Sequence, residues 1–249
     1  MFNLNTYITM NKKQIATSTL FLAQDDSSEL FGIVDDKDTV IVPFDYNVSQ
    51  TLHFGGKEIV FLHNQNENLL VFGPEKIISF KGNFTKMHEC CAICSPFLQV
   101  YDGELIGVLR VDEKQVTTVV PPVYDFINGY AWPEISPTHT NKYMPAQIFE
   151  AYTADTLKKE CDIFSASGEK LFQKAKIIEV ANNLCALQTT KNNSVFVYSF
   201  SKRKVVLQGL YCTAIYSAPD GSLRLLSSQN SFFRVKPDGE VIVDKSYLD

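Results

Sequence analysis

Residues 30–46 read Leu-Phe-Gly-Ile-Val-Asp-Asp-Lys-Asp-Thr-Val-Ile-Val-Pro-Phe-Asp-Tyr, and they carry the clearest fold signal in the chain. Two short runs in it, Leu30–Val34 and Thr39–Val42, are rich in apolar and β-branched residues, which suit a pleated and half-buried surface. The residues between them, from Asp35 to Asp38, are polar and acidic, and short polar side chains favour turns. The stretch therefore predicts a β-hairpin.

Degenerate copies of this hairpin recur along the chain at a nearly constant spacing. The first apolar residues of one recurrent strand are separated by 39, 38, 51, 36 and 39 residues, and they are Leu20, Ile59, Phe97, Ile148, Leu184 and Leu223. A later strand recurs with separations of 37, 39, 55, 34 and 36 residues and begins at Val40, Ile77, Val116, Leu171, Val205 and Val241. A fixed period of this size indicates a stacked or circular repeat architecture of six units.

The last full unit shows the internal plan most clearly. Four short strands are predicted in it, at Thr213–Tyr216, Leu223–Ser227, Ser231–Val235 and Glu240–Val243, with turn residues between them. Strands of about five residues and connections of about four account for the period. A four-stranded meander repeated six times predicts an all-β, six-bladed β-propeller, with an open β-repeat or solenoid array as the alternative.

The ends of the chain agree with a circular arrangement in a single domain spanning residues 1–249. The chain stops just after the hairpin of the sixth unit, and we expect one outward strand of the ring to be missing at this end. A segment before Leu20, either Tyr7–Met10 or Gln14–Ser18, is expected to supply it. This arrangement favours closure of the repeat into a ring.

Composition and charge bound the class of protein. The chain has 249 residues, of which 45% are hydrophobic and 20% are charged, which is ordinary for a soluble globular protein. Aromatic residues reach 12%, a proportion that favours strands over helix bundles. The net charge of −5 is spread along the chain without an extended Lys/Arg-rich run, so nucleic acid is not an expected partner.

Targeting signals and cysteine usage favour a cytoplasmic location. The first residues lack a basic start and an apolar stretch of signal-peptide length, and no window approaches 18 consecutive apolar residues. The six cysteines are not arranged like a disulfide framework, so we expect reduced thiols. We expect a monomer without a membrane segment or a cofactor.

Two units resemble the bacterial WG-repeat family, also called the KWG-type repeat. Its units end in a Trp-Gly-hydrophobic-hydrophobic-Asp pattern, a polar turn, and a Val/Ile-rich strand that closes on Pro and Tyr. Phe31–Asp35 with Val40–Tyr46 is similar to one such unit, and Ile106–Val108 with Val119–Asp125 is similar to another. The Trp is replaced by Phe and Ile, and the other four units keep only the apolar rhythm. The resemblance implies a repetitive all-β bacterial protein with a binding role and no shared active site.

The long interval in the repeat comes from about 16 additional residues at Gly129–Pro145. Three prolines and a glycine in this insertion argue against a helix or an internal strand. The segment that follows, Ala146–Lys159, could form a short helix or a strand, and the repeat register favours the strand.

The insertion is the best candidate for an interaction site. Aromatic side chains at loop tips are frequent binding hot spots because they bury a large area at little entropic cost. The predicted partner-binding residues are Tyr130, Trp132, His139, Tyr143 and Met144. Alternatively, Trp132, the only tryptophan of the chain, folds back and caps a blade.

One segment has the spacing of a metal site. Cys91 and Cys94 are spaced so that two thiolates could reach one Zn²⁺, and His88 could add an imidazole. A structural zinc site needs four ligands, and no second pair follows at a suitable spacing. We therefore predict buried, inert cysteines and no metal site.

Other candidate chemistry is weaker still. The acidic groups at Asp25-Asp26 and Asp35-Asp36 lack the ligand pattern of a calcium loop and are predicted to form turns. None of the four histidines lies beside a recognisable nucleophile, and Gly55-Gly56-Lys57 lacks the phosphate-loop pattern. We predict no catalytic residues.

These observations favour a non-enzymatic protein-binding module, such as a bacterial immunity or adaptor protein that neutralises or holds a toxin or effector. A basic partner would suit the negative net charge through electrostatic steering. The alternative is a propeller enzyme that acts on a carbohydrate or small molecule, with a site assembled from several units at the central channel.

Overall fold

The computed structural model of the protein describes residues 10–15, 18–89, 96–130, 148–156 and 160–244. These residues form 23 β-strands and one short 3₁₀ turn at Ala154–Thr156, so the all-β prediction is confirmed. The chain divides into two compact units, Met1–Val123 and Tyr124–Asp249.

The first unit contains three four-stranded sheets, each a meander in which consecutive strands are neighbours. Sheet 1 consists of β1 (Met10–Gln14), β2 (Leu20–Asp25), β3 (Phe31–Asp35) and β4 (Val40–Tyr46). Sheet 2 consists of β5 (Val48–Phe54), β6 (Lys57–His63), β7 (Asn68–Gly73) and β8 (Lys76–Phe80). Sheet 3 consists of β9 (Lys86–His88), β10 (Phe97–Asp102), β11 (Leu105–Val111) and β12 (Val116–Tyr124).

The second unit contains a seven-stranded and a four-stranded sheet. The larger sheet consists of β13 (Phe126–Tyr130), β14 (Ile148–Tyr152), β15 (Cys161–Ser165), β16 (Lys170–Ala181), β17 (Leu184–Thr189), β18 (Val195–Ser199) and β19 (Lys204–Leu210). The smaller one, sheet 6, consists of β20 (Cys212–Ser217), β21 (Leu223–Ser227), β22 (Phe232–Val235) and β23 (Val241–Asp244).

The seven-stranded sheet is two meanders that share β16. The first part of β16 pairs with β15 as far as Ala175, and the strand pairs with β17 from Ala175 onward. Lys174 lies at this change of partner with a φ of 53°, and a bulge of this kind bends a strand. We call the strands from β13 to the first part of β16 sheet 4, and those from the second part of β16 to β19 sheet 5.

The described residues thus contain four four-stranded meanders and one seven-stranded sheet made of two meanders that share β16, and the number of propeller blades stays a prediction. Strands begin at five of the six first anchor residues, and β6 begins two residues before Ile59. Ile148–Tyr152 is a strand, as the register favours, and the first described strand is Met10–Gln14, between the two predicted positions. This strand pairs with β2 in sheet 1, and sheet 6 has four strands of its own, so the expectation that an N-terminal strand completes the sixth unit is wrong. Closure of the sheets into one ring would involve both units and stays a prediction.

Sheet 2 is buried on both faces by the other sheets of its unit. Side chains alternate along a strand, so Val60 and Leu62 pack against sheet 1 whereas Ile59 and Phe61 pack against sheet 3. All four are at most 1% exposed. Burial on both faces explains why this strand is a continuous apolar run and does not alternate with polar residues.

Sheet 5 has the same position in the second unit. Leu184 and Ala186 of β17 pack with residues of sheet 6, and Cys185 and Leu187 pack with residues of sheet 4. The central sheet of each unit thus joins its two neighbours through a shared apolar core.

The first strands of consecutive sheets approach each other. The Gln50 side chain of β5 donates from Nε2 to the Met87 carbonyl oxygen of β9 at 2.7 Å and accepts from the Met87 amide at 3.0 Å. Lys13 Nζ of β1 lies 3.4 Å from Thr51 Oγ1 of β5, and β16 contacts β20 in the second unit. Face-to-face meanders with converging first strands are typical of β-propeller blades.

Candidate binding site

The predicted insertion lies at the tip of a regular β-hairpin. Strands β13 and β14 pair without interruption from Phe126↔Tyr152 to Tyr130↔Ile148, and 17 residues separate the last pair. The corresponding hairpin of sheet 2, β5–β6, closes after Phe54↔Lys57 with only two residues between the strands. The pairing of β13 with β14 is therefore intact up to the two residues that flank the additional segment.

The strands that carry the insertion are firmly held. Ile148 and Phe149 are at most 1% exposed, and the Phe126 and Tyr152 rings are in contact with 6.1 Å between their centroids. The Asp125 carboxylate accepts a hydrogen bond from the Ala154 amide at 2.6 Å. Rigid strands of this kind are the usual support of binding residues. Of the five predicted binding residues, Tyr130 ends β13, and Trp132, His139, Tyr143 and Met144 lie outside the described residues.

A buried tyrosine supports the same sheet. Tyr124, the last residue of β12, donates a hydrogen bond to Asp162 Oδ2 at 2.8 Å, and Lys170 Nζ approaches the same oxygen at 2.7 Å. Burial and this carboxylate raise the pKa of Tyr124 to about 12. Burial alone would raise the pKa of Asp162, but hydrogen bonds from Lys170, Tyr124 and the Lys174 amide outweigh it and lower that pKa.

The first unit contains an equivalent contact. Tyr46 ends β4 and donates to Glu67 Oε1 at 2.6 Å, while Ser79 donates to the other carboxylate oxygen at 2.6 Å. Donor and acceptor are 21 residues apart here and 38 apart for Tyr124 and Asp162. Glu67 immediately precedes β7, and Asp162 is the second residue of β15. These are the third strands of sheets 2 and 4, so the two contacts occupy the same place in the repeat.

Gly32 and Gly107, in the two units that resemble WG repeats, are required for the same reason, because a side chain at either position would collide with the neighbouring strand. A Cβ on Gly32 would lie 2.7 Å from the Val42 carbonyl oxygen, and one on Gly107 would lie 2.8 Å from the Val120 carbonyl oxygen. Val42 and Val120 each precede a proline on the neighbouring strand. The Gly, the Val-Pro and the closing Tyr of both units therefore have defined structural roles.

The turn aspartates are structural, as predicted. Asp35 Oδ1 accepts hydrogen bonds from the backbone amides of Lys37 and Thr39 at 2.9 and 2.7 Å. Asp25 accepts from the Ser27 amide at 3.1 Å. Such bonds close turns and leave no carboxylate pair arranged for acid–base work at these positions.

His88 belongs to the first unit and packs edge-on against Tyr101, with 5.5 Å between ring centroids. Burial, with a contribution from Lys86, lowers the pKa of His88. Cys91 and Cys94, its predicted companions in the alternative metal site, lie outside the described residues. Within the ranges that the structure describes, no group of three or more His, Cys, Asp or Glu side chains could hold a metal ion.

Two buried thiols lie in the core between sheets 4 and 5. Cys161 Sγ donates to the Ala175 carbonyl oxygen at 3.2 Å and lies 3.8 Å from Glu150 Oε1. Burial, together with the Glu150 carboxylate, raises the pKa of Cys161 to about 12, and the same two causes raise the pKa of Cys185. These thiols are held neutral, which is the opposite of what a nucleophile requires.

The negative charge is concentrated in one unit. Residues 1–123 contain nine Lys and Arg against 15 Asp and Glu, a net charge of −6, whereas residues 124–249 contain 14 against 13, a net charge of +1. The insertion belongs to the second unit. Long-range attraction of a basic partner would therefore come mainly from the first unit.

Comparison with known proteins gives a distant likeness to β-propellers. No family model and no curated protein matches the chain. Among solved structures, the Dos1 propeller is 11% identical over 92% of this chain and 70% of that one, with a TM-score of 0.30. The Cps50 (Swd1) β-propeller domain of Myceliophteria thermophila is 10% identical over 97% and 71%, with a TM-score of 0.29.

PorZ, a surface component of the type-IX secretion system of Porphyromonas gingivalis, is 11% identical over 95% of this chain and 35% of that one, with a TM-score of 0.33. Likenesses at this level carry no functional argument, and the fold class rests on the strand pairing itself. In the part of the chain that the structure describes, no helix is long and apolar enough to cross a membrane.

Proposed function

We propose that this protein is a non-enzymatic protein-binding module in which the Gly129–Pro145 insertion contacts the partner. One observation carries this proposal: the two strands that flank the insertion, β13 and β14, form an intact, well-packed hairpin. Variable loops on rigid supports are where binding residues concentrate. The insertion brings Trp132 and Tyr143, residue types that dominate binding energy in protein interfaces.

The titratable groups of the second unit favour binding over catalysis. Asp162 is occupied by Tyr124, Lys170 and the Lys174 amide, and Cys161 is neutral and buried. Groups that are saturated or neutral in this way stabilise the scaffold and do not perform proton transfer or nucleophilic attack.

The finer proposal is a bacterial immunity or adaptor protein that acts as a monomer in the cytoplasm and holds a basic toxin or effector. The excess of acidic residues in the first unit would attract such a partner and accelerate its association. The aromatic insertion of the second unit would then supply short-range contacts.

Capture of partners from the source cells tests the proposal. Tagged wild-type protein is compared with the Trp132→Ala and Tyr130→Ala variants, and captured proteins are quantified by mass spectrometry. Tyr211→Ala is the matched control, since Tyr211 is an aromatic residue of the same unit that is 55% exposed.

We expect Trp132→Ala to reduce capture of one specific partner by about tenfold or more, as loss of a hot-spot residue does. Tyr211→Ala should capture it like wild type, and all variants should melt at the wild-type temperature. Equal capture of every protein by all four baits would refute the role of the insertion.

A further inference from the structure

A cleft of about 480 Å³ opens at one end of sheet 2, in the first unit. Its walls are the β5–β6 turn and the β7–β8 turn, which lie next to each other because β6 and β7 are neighbouring strands. The side chains that line it are those of Phe54, Lys57, Phe72, Pro74, Glu75 and Lys76. We call this site the sheet-2 cleft, and its volume is within the range of about 300–1,000 Å³ that is usual for ligand sites.

The cleft combines an aromatic base with ammonium groups. The Phe54 and Phe72 rings meet edge to face with 6.0 Å between their centroids. Lys76 Nζ lies 4.4 Å from the centroid of the Phe72 ring, a cation–π distance, and so holds its charge directly above the apolar base. Lys57 is exposed on the opposite turn.

The equivalent space is bridged in two sheets of the second unit. In sheet 5, Asn183 Oδ1 of the β16–β17 turn accepts a hydrogen bond from the Ser201 amide of the β18–β19 turn at 2.8 Å. In sheet 6, Asp220 of the β20–β21 turn forms an ion pair with Arg234 of β22. In sheet 2, the two walls contain Gly55 and Gly73, and the Gly55 amide donates a hydrogen bond to Glu89 Oε1 at 3.2 Å.

The charge of the cleft differs from that of its unit. The first unit has a net charge of −6, yet two of its nine basic residues and only one acidic residue line the cleft. The negative unit repels acidic segments over its wider surface, and the ammonium groups of Lys57 and Lys76 offer a carboxylate opposite charge at this one place. The polar groups are flexible lysines at the rim and not buried, fixed donors, which suits a protein segment better than a small molecule.

We propose that the sheet-2 cleft binds an acidic peptide segment of a partner protein. An apolar side chain of the segment lies on Phe54 and Phe72, and carboxylates beside it pair with Lys57 and Lys76. The proposal rests on the protein-binding function but does not involve the insertion.

Fluorescence polarisation with a synthetic probe tests the cleft on the full-length protein. The probe is a fluorescein-labelled octapeptide with one central phenylalanine flanked by glutamates. Two control peptides replace the glutamates by glutamine or the phenylalanine by alanine, and phenylpropionate serves as a small-molecule competitor. The cleft variant is Lys57→Glu/Lys76→Glu, and its matched control is Lys37→Glu/Lys81→Glu, which changes two exposed lysines of the same unit.

We expect saturable binding of the probe to wild type and about tenfold weaker binding to the cleft variant. The control variant, which has the same net charge, should bind within about twofold of wild type. Both control peptides should bind more weakly than the probe. A Phe72→Ala variant should lose affinity as well, and the lysine variants test the site independently if that protein is unstable.

Absence of saturable binding to wild type would overturn the proposal, as would equal losses in the two double variants. Phenylpropionate binding without peptide binding would also overturn it, because the occupant would then be a small carboxylate. The Trp132→Ala protein keeps the cleft and should bind the probe like wild type. Failure of the cleft proposal would therefore leave the capture experiment with the insertion variants unaffected.

Discussion

At the level of single residues, Tyr46 and Tyr124 perform the same role in the two units. Each ends a strand, is at most 5% exposed, and donates a hydrogen bond to a carboxylate that also accepts from a second side chain. Hydrogen bonds to charged acceptors contribute about 1.5–3 kcal/mol each. These two contacts therefore contribute measurably to the stability of the scaffold.

We expect Tyr124→Phe and Tyr46→Phe each to lower the free energy of unfolding by about 1–2 kcal/mol at pH 7. The effect should shrink in acid, because the pKa values of Asp162 and Glu67 are lowered in the folded protein. A lowered folded-state pKa gives stability that is present above the unfolded-state pKa, about 4, and is lost as the pH falls through the folded-state value.

Urea denaturation at pH 7 and pH 3 measures both effects. The exposed residue Tyr211 provides the control variant Tyr211→Phe, which should match wild type at both pH values within about 0.5 kcal/mol. An equal loss of stability at pH 7 and pH 3 in the two tyrosine variants would contradict the assigned role of the carboxylates.

Gly107 is a second position where one atom matters. Its added Cβ would meet the Val120 carbonyl oxygen at 2.8 Å and the Pro122 nitrogen at 2.9 Å, both backbone atoms that cannot rotate away. We expect Gly107→Ala to cost about 1–3 kcal/mol in thermal or urea unfolding, as overpacking does. Thr117→Ala, at an exposed position of β12, should stay within about 0.5 kcal/mol of wild type. A wild-type stability for Gly107→Ala would show that β12 can shift freely.

At the level of elements, a side chain forms the hydrogen bonds of Met87 on the edge strand β9 that a neighbouring strand would otherwise form. Gln50 of β5 occupies both backbone groups of Met87, as a neighbouring strand would. We expect Gln50→Ala to accelerate hydrogen exchange of the Met87 amide by at least about tenfold, because its partner is lost. Gln24→Ala is the control variant. It removes a side chain of sheet 1 that is bonded to the Glu29 carbonyl oxygen, and it should leave the Met87 amide protected. Protection of Met87 in the Gln50→Ala protein would contradict the contact.

The second to fourth strands were largely predictable, but most of the first strands were not. The sequence signals for β2, β4 and β21 are local, since apolar alternation and turn residues suffice to place them. The first strands are more polar: β1 is Met-Asn-Lys-Lys-Gln, and four of its five residues are exposed. Their pairing depends on neighbouring sheets, as the contact of Gln50 with Met87 shows, and a single window of sequence does not contain that information.

At the level of the whole molecule, the all-β class and the four-stranded meander followed from the repeat, whereas the candidate sites followed only in part. The place of the insertion was predictable because it interrupts a period. The Tyr124–Asp162 contact and the sheet-2 cleft were not, since their residues come together only through strand pairing and sheet packing. The charged residues can be counted from the sequence, but only the boundary at Tyr124 shows which of them belong to the same unit.

The Tyr124–Asp162 contact has a consequence for how the protein can diversify. It closes a chain segment of 38 residues, against 21 for Tyr46 and Glu67. Loop-closure entropy rises only with the logarithm of length, so the longer segment costs about 0.5 kcal/mol more. Selection can therefore lengthen, shorten or rewrite the residues between Tyr130 and Ile148 at almost no cost to folding, and new binding specificities can evolve there while the scaffold stays unchanged.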